Sequence, residues 1–251
     1  MKFLAALIIL IIFVLIAKVF PYKKSASKPS KHFEALKLEY KAWEWKFALM
    51  ILVITVVSAF LIKPLLAFIS SSAIAPGNSV YYVVPEANIW FVPATILGLA
   101  ISIYVIDYLG RLILKYRMAE YHHYTNLKHG YDGSKFVKPI TWFLLAVAMV
   151  VTLGYSNNFI SIGEDEIVYH ELRTISPKSY SFDEIEGVYY VENKKHDDNL
   201  VYDPHYYLEF KDGAIWNTLT GLTQNEKDQE IFKFISFKAN LAIEKVPYLE
   251  K

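Results

Sequence analysis

Histidine and aspartate side chains are the groups in this sequence whose types and spacing could carry chemistry. His122, His123 and His129 lie within one short segment. A second set is spread over the later part of the chain: His170, His196, His205, Asp197, Asp198 and Asp203. Zinc needs several ligands in a fixed geometry, and an EF-hand calcium loop needs carboxylates at set intervals. Neither spacing is present, so we predict solvated or interfacial side chains, with metal binding as the alternative.

Motifs for other kinds of chemistry are also missing. The sequence contains no cysteine, which excludes a thiolate nucleophile, a disulfide and a cysteine-based metal site. It contains no P-loop, dinucleotide-binding glycine pattern, GxSxG or HExxH motif. We therefore predict that the protein is not an enzyme and has no catalytic, cofactor-binding or metal-ligating residues.

Lys63 and Asp107 stand inside apolar segments, where a charged residue usually marks a transport or relay site. On the topology derived below, Lys63 lies near the outer membrane face and Asp107 near the inner face, so they do not pair. Lys63 can extend its amine towards the headgroups, and Asp107 can pair with Arg111 at the i, i+4 spacing. These structural roles are the favoured interpretation, and an ion or proton pathway is the alternative.

The elements that carry these residues are four apolar blocks. They are Phe3–Phe20, Phe47–Phe68, Ile89–Leu114 and Pro139–Asn158. An α-helix rises about 1.5 Å per residue and a hydrocarbon core is about 30 Å thick, so each block can cross a bilayer. We predict about four transmembrane helices within residues 1–155, with Pro139 in the first turn of the fourth, and a folded domain over residues 156–251. A cleaved signal peptide is the alternative for the first block.

Charge is segregated along the chain. Residues 1–155 carry 16 Lys/Arg and 7 Asp/Glu, a net +9, whereas residues 156–251 carry 10 and 18, a net −8. Lys and Arg number eight between residues 18 and 46, six between 111 and 138, and none between 69 and 88. Because short cationic loops stay in the cytoplasm, the basic loops are predicted there and the C-terminal domain on the opposite side. An acidic domain also argues against nucleic acid as a partner.

Two helix faces have informative spacing. The first consists of Phe33, Leu36, Tyr40, Trp43 and Phe47, at intervals of three and four. We interpret this face as an interfacial helix leading into the second span, with a groove for a partner helix as the alternative. The second face consists of the small residues Ala94, Gly98 and Ser102. Such a face permits close helix packing, either within the chain or in a homo-oligomer.

After Tyr155 the sequence alternates short β-branched and aromatic runs with turn residues. The runs predict strands near residues 159–162, 167–172, 180–182, 187–191, 206–210 and 214–216, with residues 192–199 as a loop. Apolar residues between Ile231 and Leu241 predict a closing helix. The pattern indicates an α+β domain, built as a strongly bent antiparallel sheet or split barrel with one C-terminal helix.

Three segments of this domain resemble a known family. Ile160–Tyr169, Tyr180–Ile185 and Tyr207–Gly213, followed by the helix, are similar to bacterial pleckstrin-homology-like (PH-like) domains appended to transmembrane hairpins. The resemblance covers residues 155–245. It implies a PH-like fold and a binding or scaffolding role, and it supplies no catalytic residues. Such domains are often expected in the cytoplasm, whereas the lysine count predicts the opposite side.

These observations favour a multi-pass protein of the bacterial inner (cytoplasmic) membrane whose C-terminal domain is extracytoplasmic. Its expected partners are the lipid bilayer and a protein of the membrane or envelope. One alternative is an immunity or resistance protein that shields the membrane from a toxin. A second alternative, based on Lys63, Asp107 and the small-residue face, is an accessory subunit of a transporter or channel.

Overall fold

A computed structural model describes residues 18–22, 33–71, 79–170, 176–196 and 199–249 of the chain. The protein forms two compact units. The first combines residues 1–62 with 92–149, and the second combines residues 63–91 with 150–251. The first predicted span, Phe3–Phe20, lies outside the described residues except for its last three.

Long helices account for the other three predicted spans. Helix α1 is Phe33–Ser71, α2 is Phe91–Leu114, α3 is Met118–His129 and α4 is Gly133–Ser156. A 3-10 turn, Lys115–Arg117, joins α2 to α3. Three helical segments of the described chain are long and apolar enough to cross a membrane: Phe33–Ser70, Phe91–His129 and Gly133–Ser156. The chain is therefore compatible with a membrane location.

The prediction that Pro139 lies in the first turn of the last long helix is wrong. Pro139 lies inside α4, which begins six residues earlier at Gly133. The carbonyl of Asp132 accepts backbone hydrogen bonds from Lys135 (3.1 Å) and Phe136 (3.2 Å), which closes the first turn ahead of the proline. The Asp132 carboxylate accepts a hydrogen bond from the Ser134 hydroxyl at 2.6 Å, and this bond and Lys135 hold the pKa of Asp132 below its usual range. A negative charge at a helix N-terminus is favourable.

The aromatic face of α1 packs on α3 within the first unit. Leu36 and Tyr40 are buried against Tyr124, and Phe47 is buried against Met118. The interpretation of this face as an interfacial surface is therefore wrong, because a helix of the same chain covers it. The sequence does not reveal α3 as the partner of this face, because residues 111–138 are predicted to form a loop.

The small-residue face of α2 packs on α1. Ala94 and Ser102 are fully buried, and the Thr55 hydroxyl donates to Ser102 Oγ at 3.1 Å. A Cβ placed on Gly98 would meet the Thr55 carbonyl oxygen at 2.6 Å. Packing within one chain therefore accounts for this face. Homo-oligomerisation stays a prediction, and it would need a different surface.

The first sheet of the second unit is antiparallel, with strand order β1-β2-β3-β4. Its strands are β1, Tyr81–Val83; β2, Phe159–Ile162; β3, Glu166–His170; and β4, Lys178–Ser181. Strand β1 comes from the connection between α1 and α2, and its Tyr82 pairs with Ser161 of β2. The sequence alone does not predict this strand, because three residues carry too little pattern without their partner strand.

The second sheet has the order β7-β6-β5-β8. Its strands are β5, Ile185–His196; β6, Asn199–Phe210; β7, Ile215–Asn217; and β8, Ile243–Val246. Helix α5, Asp228–Ala239, precedes β8. The expectation of an antiparallel sheet closed by a final helix is therefore wrong in two respects, since β8 follows the helix and runs parallel to β5. The predicted loop at residues 192–199 is also wrong, because β5 and β6 extend into it.

The core of this unit is filled from both sheets and from α5. Fully buried members include Ile160, Ile167, Leu208, Phe210, Trp216, Ile231, Phe232 and Ile235. The ring of Tyr180 stacks on Phe210 with centroids 3.9 Å apart. The Trp216 indole N–H donates to the Leu222 carbonyl at 3.0 Å, which pairs its polar atom inside the core. The region is thus an α+β unit of two small sheets and a helix.

Candidate interaction surface

Strands β5 and β6 pair with each other over more residues than they pair with their outer neighbours β8 and β7. Their pairing runs from Ile185↔Phe210 to His196↔Asn199. Strand β8 accompanies β5 only as far as Val191, and β7 accompanies β6 only over residues 207–209. The remaining residues, 193–196 and 199–202, form a two-stranded extension that we call the outer arm.

A register irregularity separates the outer arm from the core. Pairing shifts between Val191 and Asn193, where Asp203 and Pro204 of β6 face the single residue Glu192. Proline lacks an amide hydrogen, so it is tolerated in a strand at such a bulge. Past this point Asn193 holds the arm to the segment after β8, because its backbone N–H and its side-chain amide donate to the Pro247 carbonyl at 3.0 and 2.9 Å.

The outer arm exposes apolar side chains on both of its faces. Leu200 and Val201 are each 51% exposed, and Tyr202 is 74% exposed. Consecutive strand residues point to opposite faces, so a ribbon with no covering layer exposes all three. Lys195 and Lys194 pair with Leu200 and Val201 across the ribbon. Leu200 and Tyr202 therefore share one face and Val201 lies on the other, and exposed apolar side chains that lie together on one surface are typical of interaction sites.

The sequence does not predict this surface, because residues 192–199 are predicted to form a loop and residues 200–202 have no predicted role. The run Leu200-Val201-Tyr202 was the available signal, because aliphatic, β-branched and aromatic residues favour strands. Its pairing with the polar segment Asn193–His196 carried no comparable signal in composition.

The histidines of this unit are placed apart. His170 is buried and packs edge-on against Phe159 with ring centroids 5.7 Å apart. His205 is buried, with Nδ1 2.7 Å from the Asp203 carbonyl oxygen. The side chain of His196, together with Asp197 and Asp198, lies outside the described residues. Within the described residues, no group of three His, Asp or Glu side chains could hold a metal ion.

The three histidines of the first unit lie on helix α3 rather than on a loop. His122 Nε2 lies 3.5 Å from Asp107, and His123 Nδ1 lies 2.5 Å from the Tyr22 hydroxyl. His129 packs against Tyr131 with ring centroids 5.9 Å apart. Each histidine thus has a different neighbour, and the structure does not bring the three together.

Both charged residues of the apolar segments have polar neighbours. Arg111 Nε donates to Asp107 at 3.0 Å, which confirms the pairing predicted from the i, i+4 spacing. Lys63 Nζ donates to the side-chain oxygen of Asn88 at 2.9 Å within the second unit. These contacts satisfy both side chains locally, so they give no support to the hypothesis of a conduction path.

Asp212 forms a polar cluster on the second unit, which we call the β unit because it contains both sheets. Its carboxylate accepts hydrogen bonds from Lys178 Nζ (2.8 Å), the Ala214 backbone N–H (2.9 Å) and the Tyr180 hydroxyl (3.0 Å). These bonds, the one from Lys178 foremost, hold the pKa of Asp212 below its usual range. The cluster joins the turn after β6 to β4. Because both side chains of its ion pair are exposed, the pair contributes little to the free energy of unfolding.

The chain combines helices of membrane length with a folded α+β unit that extends a partly apolar hairpin. No protein-family model matches this chain, and a comparison with curated proteins finds no match. Its function therefore has to be inferred from the geometry of the molecule itself.

Proposed function

We propose that this protein is a membrane-anchored interaction protein whose folded unit docks on another membrane or envelope protein through the outer arm. The observation that carries the proposal is the exposure of Leu200, Val201 and Tyr202 on a ribbon that extends past its sheet. Within the described residues no strand flanks this ribbon, so its outward backbone groups are open to pairing. An extended apolar segment of the partner fits such an edge by strand addition.

A PH-like fold for residues 155–245 belongs to the same proposal. It is supported by two small sheets that share one core with α5. In this proposal the fold supplies a rigid base, because the inner half of the hairpin is buried through Val188, Val191 and Leu208. The base holds the outer arm in one orientation, and the helices keep it at the membrane.

The proposal places the β unit on the extracytoplasmic side of a bacterial inner membrane. The lysine count supports this side. Two contacts agree with the pairing of segments in this topology, whichever side the β unit occupies: β1, which follows α1, pairs with β2, which follows α4, and the start of α1 packs on α3. Each pair joins two connections that the four-span topology assigns to one side.

Site-specific photocrosslinking in living cells tests the docking surface. A photoreactive amino acid replaces Tyr202, and a control replaces Lys211, which is exposed on the turn at the other end of β6. We expect a discrete adduct with one protein at position 202 and none at position 211. The double substitution Leu200→Ser with Val201→Ser should abolish the adduct while leaving the melting temperature unchanged. The absence of any adduct, or the same adduct at both positions, would refute the proposal.

A further inference from the structure

A groove of about 730 Å³ lies between α1 and α3 in the first unit. Its α1 wall is formed by Lys37, Lys41, Glu44, Ala48 and Ile51. Their spacing of three and four residues places them along one side of the helix. Tyr121, Tyr124 and Lys128 contribute to the opposite wall. The groove thus follows α1 from its charged start into its apolar stretch.

The chemistry of the groove changes along its length. Lys37 and Lys41 precede the apolar block that begins at Phe47, whereas Ala48 and Ile51 belong to that block. At about 1.5 Å per residue, Lys37 and Ile51 are about 21 Å apart along the helix axis. This length matches a ligand with a polar head and an apolar chain. Trp45 also lines the groove and is 74% exposed. Tryptophan is enriched at the depth of the lipid headgroups.

The charged side chains at the polar end of the groove differ in whether they are paired with an opposite charge. Lys128 Nζ contacts both carboxylate oxygens of Glu44, at 2.8 and 2.7 Å, so these two groups neutralise one another across the groove. Lys37 forms an exposed contact of 3.4 Å with Glu34 and no other ion pair within the described part of the chain. Lys41 is exposed and forms no ion pair with any residue of the described ranges. Among the described residues, Lys37 and Lys41 are therefore two cations at the groove with little opposing charge.

We propose that this groove binds an anionic phospholipid, with the phosphate at Lys37 and Lys41 and an acyl chain along Ala48 and Ile51. A free anion would use the lysines but not the apolar floor, and a neutral lipid would use the floor but leave the lysines unmatched. The aromatic side chains of Tyr121 and Tyr124 shape the wall beside the chain. The site is distinct from the outer arm and does not depend on the proposed protein partner.

Native mass spectrometry of the full-length chain, delipidated in detergent, tests this assignment. The probes are phosphatidylglycerol, phosphatidylcholine and glycerophosphoglycerol, the last being the headgroup without acyl chains. We expect retention of phosphatidylglycerol and weak or no retention of the other two. Equal retention of phosphatidylcholine, or of the free headgroup, overturns the proposal.

Matched variants separate a specific groove from bulk charge. Lys41→Glu should lower phosphatidylglycerol binding by about fivefold or more, since one lysine near an anionic surface contributes a factor of this size. Lys138→Glu makes the same charge change at an exposed position outside the groove and should leave binding unchanged. Equal losses in the two variants, or none in Lys41→Glu, contradict the site.

A second pair of variants tests the apolar half. Ala48→Trp places an indole in the apolar end of the groove and should reduce lipid retention severalfold. Ala119→Trp makes the same change at an exposed position of α3 outside the groove and should leave lipid retention unchanged. Melting temperatures of all four variants show whether each remains folded. Unchanged binding in a folded Ala48→Trp variant would exclude the groove as the acyl-chain site.

Discussion

At the scale of single residues, Gly98 sets the separation of α1 and α2. A Cβ at this position would lie 2.6 Å from the Thr55 carbonyl oxygen and 3.3 Å from the Ala59 backbone nitrogen. Both atoms belong to a helix backbone, so neither can rotate away as a side chain would. Close approach of this kind is what brings the Thr55 hydroxyl within 3.1 Å of Ser102.

Gly98→Ala is therefore expected to destabilise the protein by about 1–3 kcal/mol, the usual cost of overpacking. Gly110→Ala on the same helix is the matched control. There the added Cβ meets the flexible end of Met118, at 2.7 Å, which can shift. Alanine also favours a helix interior over glycine by about 1 kcal/mol, so the control should be neutral or stabilising. Thermal unfolding in detergent measures both, and equal stabilities of the two variants would contradict the packing role of Gly98.

Some residue contacts can be predicted from the sequence and others cannot. The pairing of Asp107 with Arg111 was predictable because a spacing of four places both side chains on one side of the same helix. The contacts of Lys63 with Asn88 and of Asp107 with His122 join separate elements. Their existence depends on how the helices pack, and no local pattern encodes that packing.

At the scale of elements, one of the two sides of the packing interface between α1 and α3, which we call the seam, could be predicted from the sequence. Its apolar face on α1 was visible as a helical spacing, but its partner helix was not. Helix α3 contains a mixture of histidine, tyrosine and charged residues without a clear apolar face. Its burial comes from Tyr124 and Met118, which become interior only when α1 lies beside them. Tertiary packing thus decides which side of α3 is covered.

Apolar burial, rather than its ion pairs, should hold this seam together. Tyr40 has no exposed surface, and its hydroxyl donates to Glu120 at 2.9 Å. Tyr40→Ala should cost about 3–5 kcal/mol, as large aromatic truncations do. Glu44→Gln breaks the partly exposed pair with Lys128 and should cost at most about 1 kcal/mol.

Limited trypsin digestion in detergent provides the measurement for the seam. An opened seam should expose the backbone near Arg117 and Lys128, so Tyr40→Ala should be cut there faster than the wild type. Glu44→Gln should be digested at the wild-type rate. If Glu44→Gln were the more sensitive variant, the seam would be electrostatic in origin.

At the scale of the whole molecule, the fold interleaves its two units along the chain. Residues 63–91 belong with the β unit, although they include the end of α1, the connection that follows it and the first residue of α2. The division at Tyr155, made from charge and hydropathy, could not include this segment, because β1 is only three residues long and gains its role from pairing with β2. The order of helices before strands was predictable, since hydrophobic period and length distinguish them locally.

The pairing of β1 with β2 yields a prediction about topology that can be tested with single cysteines, because the chain has none of its own. Val80 and Asp165 are exposed, one next to β1 and the other between β2 and β3. In spheroplasts, a membrane-impermeant maleimide should label Val80→Cys and Asp165→Cys, because the proposed topology assigns both positions to the side opposite the basic loops. Lys41→Cys and Lys138→Cys should react only after permeabilisation.

Two different failures of this experiment have different meanings. Labelling of Lys41→Cys and Lys138→Cys alone in intact spheroplasts would place the β unit in the cytoplasm and refute the extracytoplasmic docking surface. Labelling that separates Val80→Cys from Asp165→Cys would instead contradict the β1–β2 pairing itself, since paired strands must share one side of the bilayer. The first outcome would not contradict the proposed lipid binding between α1 and α3, because an anionic headgroup can reach Lys37 and Lys41 from whichever leaflet they face.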